Sequence, residues 1–200
     1  MPNPIRFDFT IAGGGSAAYM DHIYIYDNVF DQFGYTNNVG VSMGVYMNDH
    51  SQSPITYDNI HIYNNTFVGN SYSQQGVYWN TYGSAHTNFS IDNNIFYGLK
   101  SYPVYFNSLG NSASVTTISV QNNDYYNNGN NSPSYGGVTM YNKTEQNSIT
   151  TNPLFVSSSD YHLQSGSPAS DAGINVGLPF SGNAPDIGRY EYSGSSSALV

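Results

Sequence analysis

The chain has no cysteine, few charges and almost no basic residues. Without cysteine there is no disulfide framework and no thiol chemistry. Charged residues make up 8% of the 200 positions, against about 25% in ordinary globular domains. Only Arg6, Lys100, Lys143 and Arg189 are basic, and the formal net charge is −9. A nucleic-acid binder needs a basic face to neutralise phosphates, and four scattered cations do not make one. The same shortage weakens binding to acidic polysaccharides. It also weakens lyase chemistry, which needs cations against a uronate carboxylate and a Lys or Arg to take the proton. Lys100 alone lies close before a candidate second strand, and it reads as a solvated loop charge. No apolar run is long enough to span a bilayer, so no membrane partner is expected. The opening Met1-Pro2-Asn3-Pro4-Ile5-Arg6 is not a signal peptide.

What is present instead is a repeat. Ile23-Tyr24-Ile25-Tyr26-Asp27-Asn28-Val29-Phe30 returns as Ile60-His61-Ile62-Tyr63-Asn64-Asn65-Thr66-Phe67. It returns again as Phe89-Ser90-Ile91-Asp92-Asn93-Asn94-Ile95-Phe96 and as Ile118-Ser119-Val120-Gln121-Asn122-Asn123-Asp124-Tyr125. Asn28, Asn65, Asn94 and Asn123 are spaced by 37, 29 and 29 residues. A repeat of this length marks a solenoid. Alternation with period two makes each unit a strand. Coils built from strands stack into a parallel β-helix of four to six coils. Stacked Asn side chains are expected to hydrogen-bond from coil to coil as a ladder.

A second strand follows each first one. It reads Gly44-Val45-Tyr46-Met47-Asn48, Gly76-Val77-Tyr78-Trp79-Asn80, Pro103-Val104-Tyr105-Phe106-Asn107 and Gly137-Val138-Thr139-Met140-Tyr141. Gly, Asn and Ser runs between strands supply turns, because Gly and Asn tolerate positive φ. Phe7-Asp8-Phe9-Thr10-Ile11 already reads as a strand with no capping helix before it. Solenoids need capped ends, so the chain is expected to be the C-terminal part of a longer protein.

The last fifty residues change character. Asn152-Pro153-Leu154-Phe155 leads into Asp160-Tyr161-His162-Leu163-Gln164-Ser165-Gly166-Ser167-Pro168-Ala169-Ser170-Asp171-Ala172-Gly173, then Pro185-Asp186-Ile187-Gly188-Arg189-Tyr190-Glu191-Tyr192. This resembles the C-terminal closing segment of the right-handed parallel β-helix proteins of the pectate-lyase-like superfamily. Ser170 stands where a hydrophobic residue is commoner. With the repeats, the resemblance covers residues 20–192. It implies an all-β, right-handed parallel β-helix with a C-terminal cap. It also implies secretion and action on polysaccharide, although lyases, hydrolases, epimerases and binding-only members share this ending. Residues 1–149 are thus read as coils, 150–192 as a cap in the same domain, and 193–200 as a flexible Gly/Ser tail. In the cap, Asp171, Asp186 and Glu191 are expected to receive backbone N–H groups or Arg189 at the last coil.

Side chains alternate across a strand. Val45, Met47, Val77, Trp79, Val104 and Phe106 should point inward. Tyr46, Asn48, Tyr78, Asn80, Tyr105 and Asn107 should form an outward stripe. Aromatic faces stack on sugar rings and amides bond hydroxyls, which makes the stripe a candidate substrate-binding platform. The same rings could equally serve as a sheet-stabilising ladder. In relatives this strand and its loops carry the substrate groove. The other outward line, Tyr24, His61, Ser90 and Ser119, is chemically mixed.

Catalytic candidates are few. Asp49 and His50, at the exit of a second strand, are the most suggestive acid–base pair. Asp8, Asp31, Glu145 and His86 are the other candidates near that face, and no second carboxylate follows a second strand in the next two coils. Glycosidases need two carboxylates about 5 to 10 Å apart. No metal site and no cofactor are expected; Ca²⁺ could use acidic loops, but no spaced Asp-x-Asp-x-Asp loop occurs. Sequons at Asn64, Asn88, Asn130 and Asn142 matter only in a glycosylating host. The chain is therefore expected at the cell surface or outside the cell, with polysaccharide as its partner. Cleavage, as a hydrolase rather than a lyase, is one alternative. A non-catalytic binding, adhesive or fibre-forming solenoid, with self-association by end stacking, is the other.

Overall fold

Among the described residues there are thirteen β-strands and no helix. The computed structural model describes residues 5–9, 19–34, 42–49, 55–81, 85–108 and 113–194, with the backbone alone for 5–9 and 49. Sheet A contains β1 (Ile5–Phe9), β4 (Met43–Asp49), β7 (Gln75–Thr81) and β10 (Val104–Ser108), in that order. Sheet B contains β2 (Tyr19–Tyr26), β5 (Thr56–Tyr63), β8 (Ala85–Asp92), β11 (Ser114–Gln121) and β13 (Thr139–Gln146). Sheet C contains β3 (Val29–Asp31), β6 (Thr66–Val68), β9 (Ile95–Tyr97) and β12 (Asp124–Tyr126). Every strand pairs in parallel with its counterpart one coil away. The chain is a three-sided parallel β-helix.

The repeat sets the register. Ile25, Ile62, Ile91 and Val120 are in line across sheet B, and all four are buried. Phe30, Phe67, Phe96 and Tyr125 are in line across sheet C. Their rings stand 4.4, 4.8 and 5.7 Å apart along the stack, close to the strand spacing of about 4.8 Å. Gly44 and Gly76 stand second in two strands of sheet A, where there is no room for a side chain. A Cβ there would come within 2.6 Å of Phe67 and 2.4 Å of Phe96. Trp79 is fully buried at the centre, edge-on to Tyr57, His86, Phe89 and Phe106.

The paired Asn residues at the corner between sheets B and C divide two tasks. The first of each pair, or its counterpart, turns the chain: Asp27, Asn64, Asn93, Asn122 and Asn147 all have φ between 51° and 55°. Asn and Asp enter this left-handed region more readily than other side chains. The second of each pair makes the ladder. Nδ2 of Asn28, Asn65 and Asn94 donates to Oδ1 of Asn65, Asn94 and Asn123 at 3.0, 2.9 and 3.1 Å. The expected coil-to-coil ladder is present and buried over its inner rungs.

One expectation is corrected: Gly137–Tyr141 is not a fourth second strand. Thr139 begins β13, which pairs with β11 in sheet B; the position beside β10 is held by a bridge from Ser134 to Tyr105 and by the Ser108 N–H, which donates to the Gly136 carbonyl at 3.3 Å. Residues 150–194 contain no strand and run as a strap along the outer face of sheet C. Tyr161 donates its hydroxyl to Asp31 on the first coil. The Arg189 N–H donates to Thr66 Oγ1 at 3.0 Å, and the Gly188 N–H to the Asn93 carbonyl at 2.8 Å. Asn122 donates to the Ala172 carbonyl at 2.7 Å. Ile95 packs with Leu163, Ala169 and Ile187 beneath the strap.

The strap's acids receive backbone donors, as expected. Asp186 accepts from the Asp171 and Tyr192 amides, and Asp171 from those of Asn183 and Ala184. Glu191 accepts from the amides of Ser181 and Asp186. Arg189 forms no ion pair with Asp171 or Asp186; its guanidinium lies 5.1 Å from the centre of the Tyr190 ring.

Candidate functional site

The Tyr/Asn stripe of sheet A is a pair of ladders, largely covered. Tyr46, Tyr78 and Tyr105 stack at 5.3 and 5.4 Å with their planes within 14° of parallel, and Tyr102 continues the stack at 5.6 Å. Tyr46 and Tyr78 are only 7% and 9% exposed. Asn80 Nδ2 donates to Asn48 Oδ1, and Asn107 Nδ2 to Asn80 Oδ1, both at 2.8 Å. Asn48 and Asn80 are buried, while Tyr105 and Asn107 are half-buried. Ring faces that stack on each other are not free to stack on a sugar. The expected exposed stripe is therefore covered over most of its length, because coil-to-coil packing uses the faces and amides.

Sequence reasoning places acid–base chemistry at Asp49 and His50. Asp49 closes β4 and pairs with Phe9 through the backbone. Its side chain, the side chain of Asp8 and the whole of His50 lie outside the described residues. Asp31, on the first coil, and Glu145, on the last strand of sheet B, are not brought together. Four rungs separate them, about 19 Å at the usual strand spacing, beyond the reach of a carboxylate pair. His86 is fully buried. Its Nδ1 accepts the Tyr57 N–H at 3.0 Å, and Nε2 is 3.4 Å from Thr81 Oγ1. Burial pushes its pKa down to about 3. A histidine held neutral and sealed against Trp79 is part of the core, not a proton shuttle. Among the described residues, no group of three His, Asp or Glu converges as a metal site would require.

The outer face of sheet B carries two further stacks. Tyr24 lies on His61 at 5.1 Å and Tyr26 on Tyr63 at 5.2 Å. The row then turns polar: His61 Nδ1 meets Ser90 Oγ at 2.9 Å. Asp92 accepts from Ser119 Oγ and the Gln121 amide. Burial nevertheless raises Asp92 to about 6. Here too ring faces are engaged with each other.

A concave site appears where sequence reasoning did not look. Between sheet C and the strap lies a half-open cleft of about 410 Å³, within the usual range of ligand pockets. Tyr97, Phe155 and Tyr161 give it aromatic walls, and Gln32, Asn152 and Gln164 give it carboxamides. None of its lining residues is charged. Phe155 is tilted 55° to Tyr97 and stands edge-on to Tyr161, so these rings are not stacked as a ladder. A short hairpin shapes the wall: the Gln164 amide donates to the Leu154 carbonyl and the Val156 amide to that of His162. Gln164 Nε2 is fixed on the Phe155 carbonyl at 2.6 Å. The Tyr161 hydroxyl, held by Asp31, ties this wall to the first coil. Nothing periodic marks these residues, and the motif containing Tyr161 and Gln164 reads as a closing segment. The one available signal was the cluster of aromatic and amide residues at 152–164.

The cleft can hold a small uncharged group with hydroxyls, through ring contacts and amide hydrogen bonds. Comparison with family models, curated proteins and solved structures returns no match for this chain.

Proposed function

We propose that this protein is an extracellular carbohydrate-binding β-solenoid of the right-handed, pectate-lyase-like kind. Its binding site is the cleft between sheet C and the strap, and its ligand is a neutral saccharide. The observation that carries this is the cleft's lining: three aromatic rings in non-ladder orientations, three carboxamides and no charge. Aromatic rings offer apolar faces to sugar C–H groups, and amides match hydroxyls as both donors and acceptors. An acidic glycan would meet no cation there, on a chain of net charge −9. Right-handedness is supported by the near-universal hand of parallel crossovers. The closing segment Asp160-Tyr161-His162-Leu163 through Tyr192 supports the superfamily. A secreted location is supported by the charge-poor, Tyr- and Asn-rich composition.

The test is calorimetric titration with a panel of neutral and acidic oligosaccharides, using the parent and Phe155→Ala. The parent should bind a neutral member, and the variant should lose at least tenfold in affinity. Equal affinity in parent and variant would remove the cleft from the proposal. Reducing-end release, measured alongside with Asp49→Asn, separates binding from cleavage. Product from the parent and not from Asp49→Asn would make the protein a glycan-cleaving enzyme with its chemistry on the sheet A side.

A further inference from the structure

The last coil breaks the repeat in a specific way. In register, Lys143 stands opposite Ile118 and Glu145 opposite Val120. In the coils before, the same two positions hold Ile23 and Ile25, Ile60 and Ile62, then Phe89 and Ile91. The ladder position breaks too. Ser148 follows the left-handed Asn147 where Asn follows its turning residue elsewhere. Its Oγ accepts the Asn123 N–H, at 3.2 Å. Two inward apolar positions have thus become a cation and an anion, and the ladder ends on a hydroxyl.

These charges pair with each other. Lys143 Nζ lies 2.7 Å from Glu145 Oε2, with the side chains 35% and 34% exposed. Tyr135 stacks on Phe106 at 5.6 Å and so covers the end of the core. Its hydroxyl donates to Glu145 at 3.1 Å, and Lys143 Nζ sits 4.4 Å from its ring centre. After Ile149 the chain does not begin another rung but leaves along the strap. The end of the solenoid is therefore closed by Tyr135, Lys143 and Glu145.

We propose that the Lys143–Glu145 pair is a stop that keeps a second copy of this chain from stacking onto β13. β13 and β2 are the two edge strands of sheet B, so a head-to-tail copy would set its β2 against β13. Such a contact does not close on itself and grows into a filament. Adding a strand over β13 would bury a charged pair between two apolar cores, and desolvation opposes that strongly. Charged side chains on a sheet edge are a general barrier to edge pairing.

The experiment is sedimentation velocity on the parent and on Lys143→Ile/Glu145→Val, which restores the repeat. The parent should keep one sedimentation coefficient as concentration rises. The variant, still rich in β-structure by circular dichroism, should sediment faster with concentration and form filaments visible by electron microscopy. A folded variant that stays monomeric throughout would overturn the proposal, as would filaments from the parent. Should that variant fail to fold, Lys143→Thr/Glu145→Thr, which removes both charges, carries the test with the same two outcomes. A charge-reversed Lys143→Glu/Glu145→Lys chain should remain monomeric; its assembly would point to sequence at this edge and not to charge.

Discussion

Asn94 is joined twice to one atom of Asn123: its backbone N–H and its side-chain Nδ2 both donate to Oδ1, at 2.8 and 3.1 Å. Asn65 is bound to Asn94 in the same way, at 3.0 and 2.9 Å. Each carboxamide also donates to carbonyls of its own coil and the preceding one, as Asn94 does to Asp92 and Ile62. The ladder therefore satisfies the backbone at a sharp corner where strand pairing cannot.

Replacing Asn94 with Ala should destabilise the fold by about 3 kcal/mol or more, because several buried backbone and side-chain groups lose partners together. Asn28→Ala should have a much smaller effect. Asn28 lies on the first rung and is only partly buried, so water can replace its bonds. Urea denaturation of the two variants measures the difference. Equal losses would mean that the ladder follows the corner and does not hold it.

The ladder was legible in the sequence because stacked coils repeat their chemistry. Ile25, Ile62 and Ile91 are interchangeable neighbours in one row, and so are Phe30, Phe67 and Phe96. The fifth coil was not legible. Lys143, Glu145 and Ser148 hide the same rung behind residues chosen for an end, and Gly137-Val138-Thr139 imitates a strand of sheet A. Alternation fixed which side Tyr46 and Tyr78 face, but not whether that side is open to solvent. Exposure depends on what packs across the sheet, and alternation within one strand carries no record of it. The course of the strap was not legible. A chain without strands makes its contacts through single groups such as Tyr161 and Arg189, and these leave no period to read. The cleft arises from that course and was missed with it.

His86 gives the fold an acid limit. Unfolded, its imidazole titrates near 6.5; folded, burial depresses the pKa to about 3. The stability from a neutral His86 is fully present above pH about 6.5 and is lost as pH falls toward 3, because the unfolded chain takes up the proton first. His86→Asn retains an acceptor for the Tyr57 N–H and removes the titration. Its midpoint of urea unfolding should vary less than the parent's between pH about 6.5 and about 4. Parallel profiles would place the acid sensitivity in other groups.

Asp124 works in the opposite direction. It stands on β12 opposite Ile95, in the row that the strap covers, and is fully buried. Apart from the Thr151 backbone N–H nearby, its carboxyl oxygens have no hydrogen-bonding partner among the described residues. Burial raises its pKa from 3.8 to about 8, with only the nearby Thr151 backbone favouring the charge. The folded chain thus holds this proton after the unfolded chain has released it. Between pH about 4 and about 8 the folded state binds more protons, so its stability falls as pH rises. A shift of this size corresponds to several kcal/mol across that range. Asp124→Asn keeps the shape and removes the charge. It should match the parent near pH 4 and exceed it by a margin that widens up to pH about 8. Hydrogen exchange of the amides of Ala172, Ile187 and Gly188 should slow in the variant at high pH, because the strap no longer lies over a carboxylate. A stability difference that stays constant with pH would show that Asp124 is not the acid held beneath the strap.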